Sequence, residues 1–123
     1  MTWQFQSDLP IYSQLIAQIT QRIAIGIYKV GEKLPSVRDL AADAGVNPNT
    51  MQRALTELER DGLMYSQRTA GRFVTEDEEM IKKAKSNLAQ EQIAQFLLAM
   101  TNLGYSMPEI VVMLEQAQQK EGA

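Results

Sequence analysis

The chain has 123 residues and a formal net charge of −3, with 45% hydrophobic and 22% charged residues, the proportions of a globular chain. It contains neither cysteine nor histidine. That excludes disulfides, thiolate metal sites and thiol nucleophiles, and it removes the commonest general base and metal ligand. In chain order, the first predicted helix starts near Pro10, a residue suited to a first turn. It carries apolar residues at helical spacing, at Tyr12, Leu15, Ile16, Ile19 and Ile23. It stops before "GIYKVGEKLP", whose glycines and proline read as a loop.

"PSVRDLAADAG" predicts a short second helix. Ser36 is its N-cap, with Asp39 in capping-box spacing, and Gly45 is its terminating residue. "GVNPNTMQRALTELERDGL" predicts a third helix. Asn47 caps it, Pro48 takes the first helical position, and Gly62 ends it. Met51, Ala54, Leu55 and Leu58 form its apolar stripe, and Asn49, Gln52, Arg53, Thr56 and Arg60 lie opposite. Residues 63–66 and 72–75, joined by "RTAG", predict a β-hairpin with a glycine-containing turn.

"TEDEEM" reads as the start of a fourth helix, since acidic residues favour a helix N-terminus. Ile81, Ala84, Leu88, Ile93, Phe96, Leu97, Met100 and Leu103 mark that helix, and Gly104 closes it. "SMPE" opens a fifth, with Ile110, Met113, Leu114 and Ala117 as its stripe. The longest apolar run near the C-terminus, Phe96 to Met100, is far short of the ~20 residues of a membrane span. The first residues have neither the basic start nor the apolar core of a signal peptide. A cytoplasmic protein without a membrane partner is the expectation.

The expected fold class is therefore mostly α with a small β-hairpin wing. A winged helix-turn-helix domain over 1–75 would be followed by a two-helix tail over 76–123. So small a tail buries little of its own apolar surface, which predicts homodimerisation through Leu88, Ile93, Phe96, Leu97, Met100, Ile110, Met113 and Leu114. Residues 1–75 carry eight Lys/Arg against seven Asp/Glu, and residues 76–123 carry four against eight. The acidity thus lies in the last third. Phosphate contacts respond to local charge, because the Debye length is about 8 Å in physiological salt.

In a helix-turn-helix the N-terminal residues of the second helix face base edges in the major groove. Here these are Asn47, Pro48, Asn49, Thr50, Gln52 and Arg53. Asn and Gln can bond adenine in two places, and Arg can bond guanine. A solvated helix face would carry similar residues. However, this one lacks acidic groups at its N-terminal end and is followed by a hairpin whose tip is read as carrying Arg68 and Arg72. Ser36 and Arg38 open the preceding helix. They read either as a phosphate site or as a cap and an ion pair to Asp39 or Asp43.

These segments, from "LPSVRDLA" through "VNPNT" to the closing "GRFV", resemble the winged-helix domain of the GntR family of bacterial transcription regulators. The "VNPNT" form with a short helical tail resembles its YtrA-like branch, whose members lack a large effector domain and dimerise through the tail. The resemblance implies a DNA-binding regulator, a repressor of transporter-linked genes, acting on an inverted repeat of double-stranded DNA. Neither catalysis nor a cofactor is implied, and an effector is not specified. It places DNA contacts at Arg38, at Asn47 to Thr50, at Gln52 and Arg53, and at the wing tip from Arg68 through Thr69 to Gly71; Ser36 joins the candidate DNA contacts through the helix-terminus reading alone. Two departures stand out. Pro48 replaces an arginine common in the family, and Thr69 stands where the branch commonly has glycine. The alternative uses of the chain are a winged helix for protein contacts and, further off, a hydrolase working through carboxylates such as Asp77 and Glu79.

Overall fold

The computed structural model describes residues 2–122. Three helices come first: α1 (Ile11–Ala24), α2 (Val37–Ala44) and α3 (Pro48–Arg60). An antiparallel hairpin follows, β1 (Met64–Gln67) with β2 (Gly71–Val74), and then α4 (Glu78–Asn102) and α5 (Met107–Gly122). Contacts divide the chain into two compact units, Met1–Leu88 and Ala89–Ala123. The hairpin ends at 74, whereas the contact boundary falls inside α4.

The first unit is built on the stripes the sequence carries. Leu15, Ile19 and Ile23 of α1 meet Met51, Ala54, Leu55 and Leu58 of α3, all at most 3% exposed. Leu40, Ala41 and Ala44 of α2 join them, and Leu63, Met64 and Val74 bring the hairpin into the same core. Met80, Ile81 and Ala84 pack against it from α4. α3 is thus fixed along its whole apolar side, which leaves its polar side to solvent.

Local chemistry sets the element ends. Ser36 Oγ accepts the Asp39 N–H at 3.1 Å, and Gly45 closes α2 in the left-handed region at φ 71°. Asn47 Oδ1 accepts the Asn49 N–H at 2.7 Å, with Pro48 in the first turn of α3. Asp77 caps α4, its Oδ1 accepting from Glu79 N at 3.1 Å and Met80 N at 3.3 Å. The acidic run is therefore a helix start. Ser106 and Glu109 exchange bonds at the head of α5: Ser106 N donates to Glu109 Oε1 at 3.0 Å, and Glu109 N to Ser106 Oγ at 3.4 Å.

The segment before α2 and the N-terminal residues both depart from the sequence-based expectation. The stretch expected to be a plain loop runs antiparallel to β2 over Gly31 to Leu34: Leu34 N donates to Arg72 O at 2.8 Å and Val74 N to Glu32 O at 2.9 Å. The N-terminal residues are strapped to α1 by side-chain amides. Gln18 bonds both backbone groups of Gln4, and Gln14 those of Gln6. Four helical residues rise about 6.0 Å and two extended residues about 6.6 Å, so glutamines four apart on α1 match backbone groups two apart on the strap. Trp3 completes the strap. Its indole N–H donates to Asp43 Oδ2 at 2.8 Å, and the Arg22 guanidinium lies 3.5 Å over its ring.

α4 carries two apolar stripes in place of the single one expected. Met80, Ile81, Ala84 and Leu88 keep three- and four-residue spacing, and Ile93, Phe96, Leu97 and Met100 resume it after a gap of five. A gap of five breaks the register of one helix face. Met80, Ile81 and Ala84 of the first stripe serve the winged core; the second stripe lies in the other unit. Among the described residues no single helix is long and apolar enough to cross a membrane.

Candidate nucleic-acid interface

The residues expected to touch DNA occupy the N-terminal ends of α2 and α3 and the wing, all within the first compact unit. At the head of α2, Ser36 is exposed and its Oγ is spent on the cap, accepting from Asp39 N; the first N–H groups of a helix have no partner within it. Arg38 is exposed. Among the described residues the ion pairs are Arg60–Glu57 and Arg72–Glu59, so Arg38 pairs with neither Asp39 nor Asp43. Asp43 is instead engaged by Trp3. An exposed arginine at a helix N-terminus without a carboxylate is suited to a phosphate oxygen.

On α3, Asn49, Gln52 and Arg53 are exposed and Thr50 is half-buried. Asn47 gives its carbonyl oxygen to the cap, which leaves its NH2 for another partner. Pro48 has no N–H and offers only apolar surface. The Gln52 amide turns along the helix to Thr56 Oγ1 at 3.3 Å. Glu57, four residues after Arg53 and three before Arg60 and so a neighbour of both on the helix surface, is held by Arg60 at 2.9 Å. The Arg53 guanidinium lies over the Tyr12 ring of α1, 4.4 Å from its centroid.

The wing turns through Arg68, Thr69 and Ala70, closed by Ala70 N donating to Gln67 O at 3.1 Å and by the Gln67–Gly71 pair. Arg68 and Thr69 are exposed. Thr69 needs no special backbone freedom, because every described non-glycine residue has negative φ. The twist falls on Gly71, at φ 111°. Lys33, which the sequence reading did not single out, lies beside it: a Cβ on Gly71 would sit 3.0 Å from Lys33 Cε. Lys33, Ser36, Arg68 and Gly71 share an open groove of about 760 Å³ between the head of α2 and the wing. The register of Lys33 opposite Phe73 was the missing signal, and it depends on a pairing that the loop's glycine-rich composition hides.

Arg72 departs from expectation. It was read as part of a basic wing tip. In the structure it lies opposite Ser66 in the ladder and turns back to α3, with Nη2 3.4 Å from Glu59 Oε2. Its side chain is 17% exposed, and its Nε is buried without a hydrogen-bond partner. A strand alternates its side chains between faces, so the residue after the turn glycine points to the helix. The hydroxyl of Ser66, and after it the Arg72 guanidinium, hold the Glu59 carboxyl below the usual carboxylate range against the opposing effect of burial. The wing is thereby tied to the C-terminal half of α3.

The residues expected at a dimer contact lie on α4 and α5. Ile93, Phe96, Met113 and Leu114 are exposed, Leu88, Leu97 and Met100 are half-buried, and Ile110 is buried within the protomer. Leu98, Leu103, Met107, Val111 and Val112 are exposed as well. No group of three or more His, Cys, Asp or Glu side chains among the described residues is arranged to hold a metal ion.

Comparison with known proteins places this geometry among bacterial regulators. A family model described as "Bacterial regulatory proteins, gntR family" matches residues 11–74. The HTH-type transcriptional regulator YhcF of Bacillus subtilis (strain 168) is 40% identical over 88% of this chain and 89% of its own. The HTH-type transcriptional repressor YtrA of the same strain is 38% identical over 76% of this chain and 72% of its own. Among solved structures, a GntR family transcriptional regulator from Listeria monocytogenes superposes with a TM-score of 0.82 at 36% identity, covering 91% of this chain and 98% of that one. The DNA-binding domain of AraR in complex with operator ORX1 gives 0.55 at 29% identity, over 61% of this chain and 99% of that one.

Proposed function

The chain belongs to the GntR family of bacterial regulatory proteins, and from that premise we propose that it is a repressor that binds an inverted-repeat operator as a homodimer. Residues 1–75 serve as the DNA-binding domain and residues 76–123 as the dimerisation tail. The carrying observation is the two-sided character of α3. Its stripe from Met51 to Leu58 is buried to 1% or less, while Asn49, Gln52 and Arg53 stand exposed at its N-terminal end. That is the disposition of a helix that reads base edges.

Roles follow from chemistry. Arg53, with five N–H donors, reads guanine, and Asn49 and Gln52 read adenine. Pro48 offers contact to a thymine methyl. Arg38 and the free N–H groups behind Ser36 take phosphates, and Asn47 contributes its remaining NH2. Arg68, Thr69 and Gly71 bring the wing to the adjacent backbone, joined by Lys33. The exposed Ile93, Phe96, Met113 and Leu114 support a two-fold mate, which covers the same patch on both copies. A relative named as a repressor, YtrA, supports the sign of regulation.

The test is selection of duplexes from a random pool by the full-length protein, followed by titration with salt. A selected site with two-fold symmetry, and affinity that falls steeply with salt, is the expected result. A pool that yields no common site would sink the reading.

A further inference from the structure

Arg53 has an unusual neighbour for an exposed arginine on a polar helix face. Its Cζ lies 4.4 Å from the centroid of the Tyr12 ring on α1. Tyr12 is half-buried and packs against the core that includes Leu15, Ile19 and Met51. The ring is therefore a fixed platform with one face turned to the guanidinium. The carboxylate one turn along, Glu57, is already held by Arg60 at 2.9 Å.

We infer that Tyr12 is a positioning residue for Arg53: its ring holds the guanidinium at the edge of the recognition face before DNA arrives, and so raises the preference for operator over other sequences. The inference rests on the reading of Arg53 as a base contact. A free arginine loses substantial rotamer freedom when it is fixed to a base, and ordering it beforehand reduces that cost. A ring face does so without occupying the donors. A carboxylate would take two N–H groups in a fork, leaving fewer for the O6 and N7 of guanine. An exposed cation–π contact is weak enough to be exchanged or retained when the base arrives. Because random DNA does not engage Arg53 through a base edge, pre-ordering it favours the operator selectively.

The test compares full-length proteins on two short duplexes of equal composition: one selected from a random pool by the wild type, and a scramble of it. Tyr12→Leu should lower the ratio of the two affinities about two- to fivefold, the magnitude of an exposed cation–π contact. Tyr12→Phe, which keeps the ring face and removes the hydroxyl, should retain the wild-type ratio. Pentafluorophenylalanine at position 12, which keeps the shape and reverses the ring quadrupole, should behave as Tyr12→Leu, and it serves in its place if that variant melts early. In an Arg53→Ala background, itself lowering the ratio about five- to a hundredfold, Tyr12→Leu should change the ratio no further.

Equal losses on both duplexes for Tyr12→Leu, or loss with Tyr12→Phe, would overturn the inference in favour of a structural or phosphate-contacting role. A rise in the ratio would overturn it too, by making the ring a place where Arg53 is withheld. If Arg53→Ala leaves the ratio unchanged, the base-reading role fails and takes the inference with it. If Arg53→Ala lowers the ratio and Tyr12→Leu does not, the inference alone fails.

Discussion

Arg72, the second residue of β2, reaches back to Glu59 on α3, Nη2 to Oε2 3.4 Å, and couples the wing to the helix proposed to read DNA. Ser66, opposite Arg72 in the ladder, also holds the same carboxyl, and both keep it below its ordinary range, the hydroxyl of Ser66 most strongly. A carboxyl whose folded value is depressed stabilises the fold above its unfolded pKa. That contribution is lost as pH falls through the folded value. Glu59→Gln should therefore cost about 0.5–1 kcal/mol at neutral pH, as for a partly exposed pair. The difference from wild type should shrink once the pH falls well below about 4. Urea unfolding at several pH values measures it; a gap that widens in acid would contradict the sign.

Gly71→Ala should cost about 1–2 kcal/mol, because φ 111° strains any residue with a Cβ. The new methyl also meets Lys33 Cε at 3.0 Å, but that is near the end of a flexible chain and can move. Lys33→Ala in the same background should therefore recover little. Equal stability of Gly71→Ala and wild type in denaturant would show that the turn can adopt another form.

How much of this was legible in the sequence depended on the range of the interaction. The caps at Ser36 and Asn47 and the stripe from Met51 to Leu58 are local, set by neighbours within one or two turns, and the structure carries them as read. Arg72 was misplaced because its direction depends on strand register, which composition does not reveal. Gly31 to Leu34 hide their pairing with β2 behind loop-like residues. Tyr12 showed its apolar periodicity but not its ring contact with Arg53, because that contact joins two helices. The strap left only Gln14 and Gln18, four apart on α1, as a trace in the sequence; they bond the backbone of Gln4 and Gln6, which any extended residues could offer, so nothing in the N-terminal residues announces the pairing.

Arg38→Ala should weaken binding to operator and random DNA by similar factors and reduce the slope of log affinity against log salt by about one unit. Its exposed side chain, without a carboxylate partner, makes folding insensitive to the change. Fluorescence anisotropy over a salt series measures both quantities. A loss confined to the operator would assign Arg38 to a base.

Phe96→Asp should separate a dimer without unfolding the winged unit, because Phe96 is 40% exposed and lies outside that unit. Leu58→Ala, at 0% exposure, should instead lower stability by about 2–5 kcal/mol. Analytical ultracentrifugation and thermal melting distinguish the two. A Phe96→Asp protein that sediments like the wild type would remove this residue from the contact.

The most direct measurement is the stoichiometry and affinity of the full-length protein on its selected duplex compared with a duplex carrying one half-site. One dimer should bind per two-fold site, with half-site centres one or two helical turns apart on one face of the duplex. Removing a half-site should cost several orders of magnitude in affinity, because linked binding of two heads multiplies their affinities. A protein that stays monomeric at high micromolar concentration, or that binds the single half-site as tightly as the full one, would contradict homodimeric binding.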